Sequence, residues 1–179
     1  VAKALNPTRQ MREAERRLRM TPTAENKTAL AEAYLAANRT DESLALFQDA
    51  ATGIHASDPA ILMGLARAHF ARGEFAETGR VLEQLRQANP DYASPEGHLL
   101  YAKSLEARGK LAEALKEYAA LAPYYPGEEA RCRYALLLQR AGRGDEARRI
   151  FEEICQEAED APATPGAPSG NGTISPAAS

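Results

Sequence analysis

A turn residue recurs four times at nearly equal intervals along the chain, each time between two apolar runs with helical spacing. The four turn residues are Asn38, Gly73, Gly109 and Gly142, and the intervals between them are 35, 36 and 33 residues. A period of about 34 residues is typical of solenoids built from pairs of antiparallel helices. The sequence therefore predicts an all-α fold, an α-α superhelix of about four helix-turn-helix repeats.

Small and bulky residues keep the same places in every repeat. Seven residues before each turn there is an alanine, at Ala31, Ala66, Ala102 and Ala135. Five residues after each turn there is another small residue, at Ser43, Thr78, Ala114 and Ala147. Four residues further on comes a large one, at Phe47, Leu82, Tyr118 and Phe151. Because protein interiors are close-packed, we expect the large side chain of one helix to fill the space that the small residues leave.

This order of large, small, aromatic and small residues, closed by a proline, resembles the tetratricopeptide repeat (TPR) family. The resemblance is fullest in Gly64–Phe75 with Asn89-Pro90, and in Leu100–Gly109 with Tyr125-Pro126. It covers about residues 24–158, and the first repeat departs from the pattern with His55 in place of its closing proline. The resemblance implies repeats at about 24–57, 58–93, 94–127 and 128–160, within a repeat domain at 23–160.

Local signals place the helices within these repeats. The sequence predicts helix pairs at 24–37 and 41–53, 59–72 and 75–88, 95–108 and 111–122, and 128–141 and 145–159. Asp58-Pro59 and Ser94-Pro95 each put a capping side chain before a proline at the first helical position, where the missing N–H is not needed.

The two ends differ in composition from the repeats. Residues 161–179 are rich in Pro, Gly, Ala and Ser, and we expect this tail to be disordered because it has little apolar area to bury. Residues 1–22 form a basic helix or linker, and residues 1–20 hold six basic and two acidic side chains although the whole chain carries a formal charge of −3. We expect a helix from Pro7 to Met20 that caps the first repeat. The alternative, compatible with the first, is that residues 1–20 lie against an anionic membrane surface.

The start of the chain bears on where the protein resides. Val1 is not an initiator Met, and the sequence has neither an apolar stretch long enough to cross a membrane nor a signal-peptide pattern. Asp58–Arg67, Ser94–Ala102 and Tyr124–Arg131 resemble segments of small bacterial inner-membrane TPR proteins, in which a short hydrophobic N-terminal region precedes a basic linker. The resemblance implies a cytoplasmic protein that a segment upstream of Val1 could tether to the inner membrane.

The residue types that carry chemistry do not form a recognisable catalytic, cofactor or metal site. His55, His69 and His98 are scattered, and Cys132 and Cys155 are 23 residues apart in a chain with no secretory signal. Phosphate-binding and serine-hydrolase motifs are absent, and the basic N-terminal residues lack the interleaved aromatic residues that favour nucleic-acid binding. The sequence therefore favours a protein without enzymatic activity, cofactor or nucleic-acid partner.

The TPR resemblance places the binding surface on the concave side, formed by the first helix of each pair. It assigns to that surface Met63, Arg67 and Phe70 of the second repeat, Leu99, Lys103 and Glu106 of the third, and Arg133, Leu136 and Gln139 of the fourth. Further positions implied in the same way are Glu25, Thr28, Glu32, Glu96 and Cys132. The function expected is a non-catalytic scaffold that binds a peptide or protein. The alternative is a self-associating, homo-oligomeric module of a membrane-anchored protein, with its basic N-terminal segment beside the membrane.

Overall fold

The computed structural model describes residues 7–160, which contain nine α-helices, one short 3-10 helix and no strand. The helices are α1 Pro7–Met20, α2 Ala24–Ala36, α3 Thr40–Ala50, α4 Pro59–Ala71, α5 Phe75–Ala88, α6 Pro95–Ala107, α7 Leu111–Leu121, α8 Glu129–Arg140 and α9 Gly144–Asp160. Each repeat helix begins and ends within three residues of its predicted position. The tail at 161–179, which the sequence predicts to be disordered, lies outside the described residues.

The four predicted turn residues share one backbone geometry. All have positive φ, with values of 59° at Asn38, 76° at Gly73, 73° at Gly109 and 78° at Gly142. The residue after each turn donates its backbone N–H to a carbonyl five residues earlier, as Glu74 does to His69 at 2.9 Å. This is the bond that closes a helix through a left-handed residue. The second helix of the pair then begins two residues after the turn.

The predicted caps at the starts of α4 and α6 are confirmed. The Asp58 carboxylate accepts the N–H of Ala60 at 2.9 Å, and the Ser94 hydroxyl accepts the N–H of Gly97 at 2.9 Å. Each bond satisfies a donor that has no partner within its own helix, and the proline at the first position has no N–H to satisfy.

The interlocking of small and large residues is observed in the core. The four alanines on the first helices are completely buried, as are Phe47 and Tyr118 on the second helices. A methyl group added at Gly64 would overlap the ring of Phe47, so α3 and α4 approach each other closely only because residue 64 has no side chain. The hydroxyl of Ser43 is buried but donates to the carbonyl of Ala31 at 2.7 Å, which links the two helices of the first repeat.

Successive helices pack against each other from α1 to α9, and the first helices also contact across repeats, α2 with α4 and α4 with α6. This is the stacking of an α-helical repeat superhelix, with α1 packed against α2 at one end. At the other end Phe151 and Ile154 of α9 are only half-buried, because no described helix follows to cover them. Between residues 7 and 160, no helix has the length and apolar character needed to span a membrane.

Candidate protein-interaction surface

The first helices of the repeats are joined by ion pairs between residues about one repeat apart. Nη1 of Arg67 on α4 donates to both carboxylate oxygens of Glu32 on α2, at 3.0 and 3.2 Å. Nε of Arg67 lies 3.2 Å from Oε1 of Glu96 on α6, but its N–H does not point at that oxygen, so this buried nitrogen makes no hydrogen bond. The Arg67–Glu96 contact is therefore purely electrostatic, whereas the two hydrogen bonds from Nη1 to Glu32 hold the guanidinium in place.

A second group of charges joins α6 to α8. Glu106 accepts from Nη1 of Arg140 at 2.7 Å and from the hydroxyl of Tyr118 at 2.9 Å. Desolvation, followed by this hydrogen bond to Glu106, raises the pKa of Tyr118 well above its ordinary value, so the phenol remains a donor at neutral pH. The two carboxylate oxygens of Glu106 are thus both occupied within the protein.

Lys103 of α6 is less tightly held. Its Nζ lies 3.8 Å from Oε1 of Glu129 on α8, whereas Nε of Arg133 donates to the same oxygen at 3.0 Å. The ammonium also lies 5.3 Å from the centroid of the Phe70 ring, within the range of a cation–π contact. Lys103 therefore has the longest ion pair of the charged residues on these helices and keeps capacity to bind a further anion.

Aromatic and aliphatic side chains accompany these charges. The rings of Phe70 and Phe75 meet edge to face, with centroids 5.2 Å apart at an angle of 65°. Leu136 on α8 is 52% exposed, which is unusual for a large aliphatic residue among the described helices. Aromatic rings and an exposed leucine thus occur on the same helices as the charged groups.

The structure gives the sequence-predicted surface residues four different environments. Five of them take part in the ion pairs and aromatic contacts described above, either with another helix or within their own: Arg67, Phe70, Lys103, Glu106 and Arg133. Leu136 is exposed on α8, between Arg133 and Arg140.

Met63 and Leu99 belong to the core, because they are only 2% and 5% exposed. Met63 packs against α6 at Gly97, where an added Cβ would lie 3.1 Å from the methionine sulfur. Gln139 is exposed but lines a shallow cavity of about 460 Å³ with Phe151 and Cys155, at the C-terminal end of the array.

Sequence reasoning missed Phe75, Glu129 and Arg140. A usable signal exists for the two charged residues, since opposite charges recur one helical turn or one repeat apart. Glu129 lies four residues before Arg133, and Glu106 lies 34 residues before Arg140.

The basic character of α1 is confined to its exposed side. Arg9, Arg12, Arg16, Arg17 and Arg19 are all exposed. Glu13 offsets part of this charge, because hydrogen bonds from Arg17 and then Arg16 lower the pKa of its carboxyl and keep it ionised. On the side facing α2, Glu15 accepts the hydroxyl of Tyr34 at 3.1 Å. Arg9 and Arg12 also line an open groove of about 850 Å³ between α1 and α2.

The histidines and cysteines are dispersed in the structure. His69 is buried between helices, and its Nδ1 lies 2.6 Å from Oε2 of Glu74. Cys132 and Cys155 are free thiols. Within the part of the chain that the structure describes, no three His, Cys, Asp or Glu side chains come together as metal ligands would.

Consecutive helix pairs that turn through a residue with positive φ and stack on one another place the chain in the class of helical-repeat proteins. A tetratricopeptide repeat family model matches residues 34–103, and a second tetratricopeptide repeat model matches residues 129–153. Together the two matches take in just over half of the chain. The chain belongs to the tetratricopeptide repeat family.

Solved structures with the same fold include two described as MamA and one as a thermophilic TPR protein. A crystal structure of MamA is 17% identical, covers 83% of this chain and 86% of its own, and superposes with a TM-score of 0.71. A structure of MamA from Desulfovibrio magneticus, from residue 41 to the end, is 12% identical. The match covers 87% of this chain and 88% of that one, with a TM-score of 0.77. The thermophilic TPR protein TTC0263 from Thermus thermophilus is 20% identical with coverage of 84% and 82% and a TM-score of 0.64.

At these identities the likeness shows the fold. A search of curated protein sequences found no significant match. TPR arrays serve as scaffolds for protein–protein interaction, and this is the function class of the chain.

Proposed function

We propose that this chain is a non-catalytic scaffold that binds a peptide or protein segment along α4, α6 and α8, on the side that carries the ion pairs. The observation that carries the proposal is the placement of Lys103 over the Phe70 ring, beside its long contact with Glu129. A cation and an aromatic ring from neighbouring repeats then form one recognition point.

The chemistry of this point favours a partner that combines a carboxylate with an apolar side chain. A partner carboxylate can replace Glu129 at Lys103, because Glu129 retains its shorter contact with Arg133. The apolar side chain of the partner would cover Phe70 and the exposed Leu136. Arg67 is better suited to holding α2 and α4 together, since its Nη1 already donates to both carboxylate oxygens of Glu32.

The test compares proteins captured from the native cell by the wild type and by three variants. Lys103→Glu reverses the charge at the recognition point, Phe70→Ala removes the ring, and Lys116→Glu makes the same charge change on the exposed side of α7. A partner of this surface should be lost with the first two variants and retained with the third, while helical circular dichroism stays unchanged in all. A partner retained by both Lys103→Glu and Phe70→Ala would rule out this surface.

A second candidate is a self-associating module beside an anionic membrane. It is favoured by the five exposed arginines of α1, each worth roughly 1 kcal/mol near such a surface before Glu13 and Glu15 are counted. Co-sedimentation with phosphatidylserine vesicles should then fall with added salt and with Arg9→Glu/Arg12→Glu, and light scattering should show oligomers. Equal sedimentation with neutral phosphatidylcholine vesicles, or a monomer at high concentration, would contradict this candidate.

A further inference from the structure

A cleft of about 450 Å³ opens where α5 and α6 meet the two connections between repeats, at residues 89–94 and 122–128. We call it the tyrosine cleft. Its walls include Tyr92, Tyr101 and Tyr124, and the first and last of these are 42% and 52% exposed. Leu82 and Leu85 of α5, both buried, also line the cleft. None of the residues that line the cleft takes part in the ion pairs of Arg67, Lys103 and Glu106 described above.

The hydrogen-bond acceptors of the tyrosine cleft are already used within the protein. The hydroxyl of Tyr101 donates to Glu83 at 2.9 Å, and burial followed by this bond raises the pKa of Tyr101 to about 12. Nε2 of His98 lies 2.8 Å from Oε2 of Glu117, while its Nδ1 is hydrogen-bonded to the hydroxyl of Tyr124. Both carboxylates therefore have internal partners, which disfavours an organic cation as the ligand.

Two hydrogen-bond donors of the cleft, in contrast, are available to a ligand. Arg86 and Tyr92 are exposed, and neither makes a side-chain hydrogen bond or ion pair with another described residue. The cleft thus combines aromatic rings with available donors. Its complement is an uncharged segment that presents apolar rings and carbonyl oxygens. A polyproline II helix has this character, because its carbonyls lack internal partners and proline has no N–H.

The chain itself carries such a segment directly after α9. Prolines stand at Pro162, Pro165 and Pro168, so they recur every three residues, and no charged residue lies between them. A polyproline II helix has three residues per turn, which would place all three prolines on one face. Aromatic-lined grooves recognise prolines at this spacing.

The segment is also long enough to reach the cleft. The second helices of the pairs run in the same direction, so α9 ends at Asp160 on the edge where α5 and α7 end and the cleft opens. Neighbouring helices are about 8–10 Å apart, and α9 has 17 residues where α7 has 11. At about 1.5 Å of rise per residue, the ends of α7 and α9, with α8 between them, are then roughly 20–25 Å apart. At about 3.1 Å per residue, Pro165 and Pro168 lie roughly 16 and 25 Å beyond Asp160.

We infer that the tyrosine cleft binds residues 162–168 of the same chain as a polyproline II segment. The prolines pack on Tyr92 and Tyr124, and Arg86 with the hydroxyl of Tyr92 donates to carbonyls of the segment. The inference is independent of the partner proposed for α4, α6 and α8.

Nuclear magnetic resonance of the full chain tests the inference. Pro162→Ala/Pro165→Ala/Pro168→Ala removes the periodic rings, and Thr164→Ala/Ser169→Ala changes two positions outside the period. The proline variant should shift the Tyr92, His98 and Tyr124 resonances, whereas the control variant should match the wild type. A synthetic peptide of residues 160–179 added to the proline variant should move those resonances back toward their wild-type positions.

The strength of binding supplies a second comparison on the same samples. A peptide with the three prolines replaced should bind the proline variant about tenfold more weakly, as expected when aromatic anchor contacts are lost. Unchanged cleft resonances in the proline variant would overturn the inference, as would peptide-induced shifts confined to α4 and α8. Shifts that grow with protein concentration would assign the segment to a second copy and overturn docking within one chain.

Discussion

Asn38 occupies a backbone conformation that glycine adopts at the other three turns. Its φ of 59° lies in the left-handed region, which costs an ordinary residue roughly 1–2 kcal/mol and which asparagine tolerates better. We expect Asn38→Ala to lower the free energy of unfolding by about 1 kcal/mol. Asn38→Gly should leave it unchanged or raise it. Urea denaturation of both variants measures the difference, and equal stability of Asn38→Ala and wild type would mean that this turn relaxes to another geometry.

The raised pKa of Tyr101 predicts how the stability of the folded protein changes at alkaline pH. Its pKa is about 12 in the folded protein, against an ordinary value of about 10, so the folded state binds the phenol proton more tightly than the unfolded state does. The resulting stabilisation is present in full below pH 10 and is lost as the pH rises from 10 to 12. Tyr101→Phe has no such proton, and its stability should therefore fall less steeply over that range. If the free energy of unfolding fell equally steeply with pH in the wild type and in Tyr101→Phe, the raised pKa of Tyr101 would be contradicted.

At the scale of helices, the small residues of the repeat set how closely neighbours approach. Ala102 and Ala135 are completely buried, so leucine at either position must displace packed atoms. We expect Ala102→Leu or Ala135→Leu to cost about 1–3 kcal/mol. Ala120→Leu, on the exposed side of α7, is the matched control and should change stability by no more than about 0.5 kcal/mol. Equal effects at buried and exposed positions in thermal unfolding would refute the packing account.

Helix positions were predictable because their signals are local. Asp58, Ser94 and the four turn residues act within a few residues of themselves, and the structure confirms them. Burial of individual positions on the first helices was not predictable to the same degree. Met63 is covered because α6 approaches at Gly97, and this depends on how the next repeat packs. The sequence could thus predict which helices form the surface but not which of their residues are exposed. The contacts of Phe75, Glu129 and Arg140 became apparent only in the folded structure.

In the whole molecule, the two ends of the repeat array differ in whether a further helix packs on them. Helix α1 packs on α2 at one end, and no described helix packs on α9 at the other. In a repeat array each unit is stabilised by its neighbours, so loss of a terminal helix exposes the next one. Deleting residues 1–20 removes the packing of α1 against α2 and should lower the free energy of unfolding by on the order of 2 kcal/mol. Removing residues 162–179 should change it little, since every packed helix pair of the array keeps its neighbours. Calorimetry that found equal losses for both deletions would contradict the role of α1.

Site-specific photo-crosslinking shows whether a partner binds along α4, α6 and α8. A photoreactive residue placed at Leu136, which is 52% exposed and lies two helical turns after Glu129 on α8, is compared in the native cell with one placed at Lys116 on α7. The account predicts a crosslinked partner at Leu136 that is absent at Lys116 and lost when Lys103→Glu is added. A partner crosslinked at Lys116 and not at Leu136 would contradict it.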